Sequence, residues 1–261
     1  MIDVSIVIVS YNARVDLERC LQSLHAAPLS ASHEIIVVDN QSSDGSVEAA
    51  AKYPDVRVIQ TGANLGFARA TNIGIRASRG INLLLLNSDT VVPAGAIDRL
   101  LAELDRDPEV AVVGPRLVDA TGRAELSYGP MIGPFNELRQ KMRMHRPALV
   151  DRLTRQRHSP DWVSGACLLV RRTDADAVGL LDERFFMYTE DVDFCAAIKA
   201  RGRRIAFTPE VEVVHVRGRS AAAAPAATAA AYRRSQVAFY EKHRPGWVPL
   251  LKLYLKLRGQ A

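Results

Sequence analysis

Cysteine is scarce, and its spacing is uninformative as a scaffold. Cys20, Cys167 and Cys195 are an odd number with no CxxC pair among them. That excludes a disulfide-stapled fold and a structural zinc site, and it fits a reducing compartment. Long apolar runs are absent too: Val4 to Val9 and Ile81 to Leu86 fall far short of the roughly 20 residues needed to cross a bilayer. Met1-Ile2-Asp3 leads straight into the first run, so no secretory leader is expected. Neither GxGxxG nor GxxxxGK[ST] follows a strand-like segment, which disfavours dinucleotide and P-loop sites. No helix-turn-helix, zinc-finger or RNP-like aromatic motif is present, so nucleic acid is not an expected partner. What remains is ordinary globular material. The chain has 261 residues, 48% hydrophobic and 24% charged, enough for a sizeable core in one or two domains. Basic residues exceed acidic ones by 34 to 29, a surplus that suits an anionic lipid surface or a phosphorylated ligand.

The first third alternates between strand-like and helix-like segments. Val4 to Val9 is a β-branched apolar run of the kind that forms a strand covered on both faces. Helical spacing follows at Leu17, Leu21 and Leu24. Further strands are predicted at Ile35 to Val38, Val56 to Ile59 and Leu83 to Leu86. The intervening helices are predicted over Ser46 to Tyr53, Phe67 to Ala77 and from about Pro93 to Leu104. Such alternation implies an α/β fold with a mostly parallel sheet and right-handed crossovers. Each strand ends in polar or small residues: Ser10-Tyr11-Asn12, Asp39-Asn40, Thr61-Gly62 and Asn87-Ser88-Asp89. Taken singly these are turn residues; taken together they outline one ligand site beyond the carboxyl ends of the strands.

The second half is less regular. Short strands are predicted at Ala166 to Val170, Arg204 to Phe207 and Val211 to Val216. An alanine-rich stretch from Ala221 passes into a helix through Tyr232, Gln236 and Phe239, which Pro245-Gly246 ends. Trp247, Leu250, Leu251, Tyr254 and Arg258 then have helical spacing. Between Leu138 and His158, Arg139, Lys141, Arg143, Arg146, Arg152, Arg155 and Arg157 face a single acid, Asp151. This basic segment is either a solvated face or a surface for anionic lipid, with Trp247, Leu251 and Tyr254 in the interface.

Several motifs in order resemble glycosyltransferase family 2, with its GT-A fold, and most closely its rhamnosyltransferase-like branch. They are Val7 to Asn12, Val37 to Gly45, Asn64-Leu65-Gly66-Phe67-Ala68 with Asn72 and Gly74, Leu86 to Asp89, Trp162 to Ala166, and Phe185 to Asp193. The resemblance runs from the first strand to about Ser220. It implies a GT-A domain over residues 1–220, divided into a nucleotide-sugar half (1–106) and an acceptor and catalytic half (107–220). A helical, basic extension follows over 221–261.

The same resemblance implies the site. Ser10, Tyr11, Asn12, Asp39, Asn40, Asn64, Gly66, Phe67, Asn72, Asn87 and Ser88 would hold the donor nucleotide. Asp39 offers carboxylate oxygens at a strand end, suited to the imide N–H of uracil or thymine, and Asp44 shapes a turn or caps a helix. Asp89 would ligate a divalent cation, Mg²⁺ or Mn²⁺, that neutralises the departing diphosphate. Asn87 stands where the common Asp-x-Asp motif has its first carboxylate. His215, followed by Gly218 and Ser220, resembles a His-x-x-Gly-x-Ser tail whose histidine can be a second ligand. Standing alone, it reads equally as a core histidine. Asp191 is the implied catalytic base, with Glu190 and Asp193 three residues apart on another side of the helix. Trp162, Ser164, Gly165, Ala166 and Glu190 would meet the acceptor, with Asp182-Glu183 nearby, while Tyr188 and Phe186 read as packing.

The implied activity is inverting transfer of rhamnose or a similar sugar from a dTDP- or UDP-sugar. The acceptor would be a glycan or a polyprenyl-diphosphate-linked glycolipid in cell-surface polysaccharide synthesis. A nucleotidyltransferase and a non-catalytic sugar-nucleotide or glycan-binding module are the alternatives. The expected location is cytoplasmic, either free or peripheral on the inner face of the plasma membrane. Neither the sugar nor the oligomeric state is legible.

Overall fold

The computed structural model describes residues 1–26, 29–216 and 225–257. Four strands alternate with helices at the start, as the apolar runs predict. They are β1 (Val4–Ser10), β2 (His33–Asp39), β3 (Val56–Gln60) and β4 (Asn82–Asn87), with α1 (Arg14–His25), α2 (Ser46–Ala50) and α3 (Phe67–Ala77) between them. After the short β5 (Thr90–Val91) comes α4 (Ala96–Asp105), which starts three residues later than Pro93, behind the left-handed Gly95. Next are β6 (Val110–Val118), β7 (Tyr128–Gly129), α5 (Pro134–Met144), α6 (Pro147–Thr154), β8 (Trp162–Val163), β9 (Cys167–Arg171) and α7 (Arg172–Ala177). The chain then forms α8 (Glu190–Ala200), β10 (Arg204–His215), α9 (Pro225–His243), a 3₁₀ turn (Pro245–Trp247) and α10 (Val248–Leu257).

Eight strands form one sheet in the order β3-β2-β1-β4-β9-β6-β10-β5. The β3-β2-β1-β4 half is parallel throughout, while β9 runs antiparallel between β4 and β6. Helices cover both faces, and two apolar clusters, one led by Ile6, Ile8, Leu17 and Leu21, the other by Phe194 and Phe207, fill the layers. The three cysteines are free and buried, and desolvation pushes the Cys20 and Cys167 thiols up to about 12.

Two strand expectations change. Arg204 to Phe207 and Val211 to Val216 are one strand, β10, whose pairing with β6 slips between Thr208 and Glu212. Pro209 sits in that slip, where its missing N–H costs no ladder bond. The fully buried β6 was not anticipated, because Gly114-Pro115 interrupts what otherwise reads as a strand. Ala221 to Ala224, Gly218, Ser220 and Arg258 lie outside the described residues.

The pairing register brings the strand ends to one level. Ser10 lies beside Asp39, and Asp39 beside Gln60. Asn87 lies beside Val9, and Leu86 beside Cys167, so the Trp162–Ala166 segment enters the sheet where β4 leaves it. His215, at the end of β10, pairs with Thr90 just after Asp89.

Candidate active site

A cleft of about 840 Å³ opens at these strand ends, within the usual range for a small-molecule site. Its walls include Tyr11, Asn40, Asn64, Gly66, Phe67, Asn87, Ser88 and Asp89 from the first half. From the second half come Trp162, Ser164, Gly165, Ala166, Glu190, Asp191 and His215. Asp89 and Asp191, remote in sequence, therefore face a common space.

The loops at the strand ends are tied to one another. Asn40 donates from Nδ2 to Asn64 Oδ1 (2.9 Å) and accepts the Leu65 N–H on Oδ1 (2.9 Å). Asp44 accepts the Arg14 N–H (2.8 Å) and the Ser46 hydroxyl (2.6 Å), fixing the turn into α2. Gly66 has φ +83° and lies against Phe186, whose carbonyl would stand 2.5 Å from an added Cβ. Only glycine meets both demands. The next N–H, of Phe67, donates to that carbonyl at 2.6 Å, stitching α3 to the segment before α8.

Four expected nucleotide residues are not part of the cleft wall. Asn72 lies farthest from the expected role. Its amide is buried, donating to Leu181 O (2.8 Å) and Glu183 Oε1 (3.0 Å) and accepting from Leu181 N (3.1 Å), so it braces two segments. Asn12, with φ 48°, uses its side chain to accept the Ser43 N–H. Ser10 and Asp39 are buried at the strand ends. Asp39 Oδ2 accepts the Ser42 N–H (3.0 Å), whereas its buried Oδ1 and the Ser10 hydroxyl lack hydrogen-bond partners among the described residues. Asp182 and Glu183 are also away from the cleft, engaged with Lys242 and Arg184, and with Arg69 and Arg76.

His215 Nε2 lies 3.3 Å from Asp89 Oδ1 and 3.4 Å from Asn87 Nδ2, and Nδ1 lies 3.2 Å from Glu125 Oε2. Burial by itself would lower its pKa, but the flanking carboxylates of Asp89 and Glu125 raise it to about 9. No group of three or more His, Cys, Asp or Glu able to hold a metal occurs among the described residues. Asp89, and His215 once a cation has displaced the proton from its imidazole, would offer two donors on the cleft wall. That set fits a hard cation which completes its shell with phosphate oxygens and water. Glu125 on the far ring nitrogen would fix the imidazole's orientation.

On the same cleft, α8 is preceded by two left-handed residues in succession, Tyr188 (φ 70°) and Thr189 (φ 63°). Such strain in non-glycine residues gathers at functional sites. Asp191 Oδ2 accepts the Gly165 N–H at 2.8 Å. A Cβ on Gly165 would sit 3.2 Å from Asp191 Cβ, so the small residue lets the strand approach the acid. Glu190 is buried, and desolvation followed by the Asp191 charge holds its carboxyl well above the ordinary range. Asp193 turns away from the cleft and meets Lys242 (2.9 Å) and His243 (2.6 Å) on α9, whereas Glu190, expected on the same side as Asp193, shares the cleft wall with Asp191. Trp162 is half-buried, its indole N–H donating to Pro130 O (2.9 Å) while part of it remains on the cleft wall.

Tyr232, Arg233 and Lys141 on the wall have no place in the site as read from sequence, where Tyr232 belongs only to a helix and Lys141 only to the basic segment. Glu125, which meets His215 Nδ1 from off the wall, escapes that reading as well. No motif marks them. Glu125 reaches the site because the segment after β6 doubles back on it, with Glu125 N–H bonded to Leu117 O (2.9 Å).

A family model described as Glycosyl transferase family 2 matches residues 5–178. The chain is 34% identical to the N-acetylglucosaminyl-diphospho-decaprenol L-rhamnosyltransferase of Mycobacterium tuberculosis, over 93% of this chain and 85% of that protein. It is 27% identical to a dTDP-rhamnosyl transferase of Shigella flexneri, over 70% and 60%. Among solved structures it resembles a mannosyltransferase of Pyrobaculum calidifontis in complex with GDP-Man and Mn²⁺. The TM-score there is 0.66 at 19% identity, covering 95% of this chain and 68% of that one. The expected GT-A architecture is thereby met, with a helical extension at the C-terminal end.

Proposed function

Because the chain belongs to glycosyl transferase family 2 and is an inverting glycosyltransferase, we propose that it transfers rhamnose or a similar sugar from a dTDP- or UDP-sugar. The acceptor is a hydroxyl of a polyprenyl-diphosphate-linked glycan in cell-surface polysaccharide synthesis. The observation that carries this reading is the common cleft shared by the Asp89–His215 pair and Asp191. The names of the mycobacterial and Shigella relatives support the lipid-diphosphate acceptor and the dTDP donor.

In this reading residues 1–106 form the donor half and 107–220 the acceptor half, with 221–261 as extension. Asp39 Oδ1, a buried acceptor lacking a partner among the described residues, takes the imide N–H of the base. Asp89 and His215 would hold a Mg²⁺ or Mn²⁺ ion, which would supply positive charge for the departing diphosphate. Asp191 removes the proton of the acceptor hydroxyl as that oxygen attacks the anomeric carbon. The anomeric C–O bond breaks on the opposite face, and the nucleoside diphosphate leaves with the electron pair. Glu190, uncharged beside Asp191, can donate a hydrogen bond to an acceptor oxygen.

The test is transfer from dTDP-rhamnose and UDP-sugars to N-acetylglucosaminyl-diphospho-lipid, with and without chelator. Asp191→Asn is expected to keep donor binding and to lose turnover by about 10²–10⁴-fold. Undiminished turnover in that variant would refute the role of Asp191. No transfer by the wild-type chain with any of these donors would refute the substrate reading.

We further place the working enzyme on an anionic membrane face. No described helix is long and apolar enough to cross a membrane, so contact would be peripheral. Leu251, expected in the interface, is instead buried with Leu255 against Phe239, and Leu250, Leu253 and Leu257 take the exposed side of α10.

A further inference from the structure

Two cations on the cleft wall have no role in the chemistry described so far. Lys141 on α5 and Arg233 on α9 both line the cleft, and neither forms an ion pair with a described residue. The Arg233 Nε is buried and makes no hydrogen bond among the described residues. The guanidinium lies over the Tyr232 ring, Cζ 5.6 Å from its centroid, but has no carboxylate partner among the described residues, and a partly buried guanidinium without an anion is costly.

The helices that carry these two residues run antiparallel in a readable register. A Cβ on Gly133 would lie 4.0 Å from Arg244 Nε. One turn on, Glu137 accepts from Gln236 Nε2 (2.6 Å) and Tyr240 Oη (2.7 Å). Lys141 follows Glu137 by four residues, and Arg233 precedes Gln236 by three, so a further turn brings the two cations to one level. Glu137, the neighbouring carboxylate, is already occupied by its two bonds from α9.

We propose that Lys141 and Arg233 form a subsite for the diphosphate that joins the acceptor sugar to its lipid. This rests on the acceptor class proposed above. It gives the cleft two anion sites, one at Asp89 and His215 for the donor diphosphate by way of a cation, and one with direct basic contacts for the acceptor. Arg233 suits the forked geometry of phosphate oxygens, and Lys141 adds a point charge. Met144 and Ile132 on the same wall offer apolar surface to the first isoprene units.

The test compares two acceptors, N-acetylglucosaminyl-diphospho-decyl and the neutral decyl N-acetylglucosaminide, in the wild type and in Arg233→Gln and Lys141→Gln. Each variant is expected to raise KM for the diphosphate acceptor by about tenfold, with donor KM and turnover of the neutral acceptor unchanged. An equal loss on both acceptors, or a rise in donor KM, overturns the subsite. If the wild type transfers to neither acceptor, the acceptor reading falls separately. Calorimetric binding of decyl diphosphate then still decides the subsite: weakening by the two substitutions supports it, and unchanged or undetectable binding overturns it.

Discussion

Glu190 is a buried carboxyl whose Oε2 lacks a hydrogen-bond partner among the described residues. Burial, then the charge of Asp191, raises its pKa well above the ordinary 4.5. The unfolded chain ionises this group near its ordinary value, while the native protein keeps the proton. Native protein therefore binds more protons across that window, and stability is lost as pH rises from the unfolded value toward the folded one. Glu190→Gln removes the titration while keeping the shape. The melting temperatures of the two proteins are expected to converge near pH 4, with the variant melting higher at pH 8. The gain should be roughly 2–4 °C for each kcal/mol relieved. Identical melting curves at both pH values would show that Glu190 is solvated.

Among individual residues, those with a distinctive place at a strand end or helix start were legible. Asp89 follows an apolar run, Asp191 lies in the first turn of a helix, and the structure brings both to the cleft. His215 was ambiguous in sequence because a histidine flanked by valines has the same appearance in a core as at a strand end. Glu125 was illegible for a different reason. Its position depends on a chain reversal after a strand that Gly114-Pro115 conceals. Asn72 lies in a motif-bearing segment and turns its amide toward Leu181, a contact that no sequence pattern announces.

At the scale of elements, the helix that carries Asp191 in its first turn depends on the C-terminal helix behind it. Asp193, nearly inaccessible, takes Lys242 and His243 from α9, and Lys242 reaches on to Asp182 (2.8 Å). Ser235 donates to the Met187 carbonyl (2.7 Å), and Tyr232 meets Tyr188 edge-on, so α9 also braces the strained residues before α8. Phe239 and Tyr240 pack with Phe185 and Val192 beneath. Periodicity announced α9 as a helix, but it carries no trace of this partnership, which depends on charges about 50 residues apart. Asp193→Ala leaves Lys242 and His243 on α9 without their carboxylate. Lys242 is partly solvated and keeps Asp182, so the expected cost is about 2–3 kcal/mol, below that of a fully buried pair. Thermal melting should fall by roughly 4–12 °C, and hydrogen exchange should quicken in α9 before the β-sheet. A variant that melts like wild type would reduce the latch to a surface contact.

For the molecule as a whole, the distribution of apolar surface gives it a direction. Helix α5 has no buried residue, and Phe135, Leu138 and Met142 are exposed on it at 76%, 59% and 55%. Helix α10 adds Leu250, Leu253 and Leu257, and the two faces meet where Phe135 packs edge-on to Trp247 at 6.1 Å. A helical stripe with no core partner indicates an external one. Arg139, Arg143 and Arg146 beside it, with Lys252 and Lys256 on α10, match an anionic headgroup layer, each contributing about 1 kcal/mol near the surface. Helix α5 also lines the cleft through Asn136, Gln140 and Lys141, so docking by this face brings the cleft wall to the lipid. Binding should therefore have a salt-sensitive part and an apolar part. The purified chain is expected to sediment with vesicles containing anionic lipid at low ionic strength and to be largely released in high salt. Leu138→Ser combined with Leu253→Ser should lower partitioning at least about tenfold, since two leucines each bury about 1.5–3 kcal/mol of side chain. Circular dichroism of that variant should be unchanged, because neither side chain is part of the core. Failure of the wild type to bind anionic vesicles at low salt would sink the membrane orientation while leaving the transfer chemistry of the cleft intact.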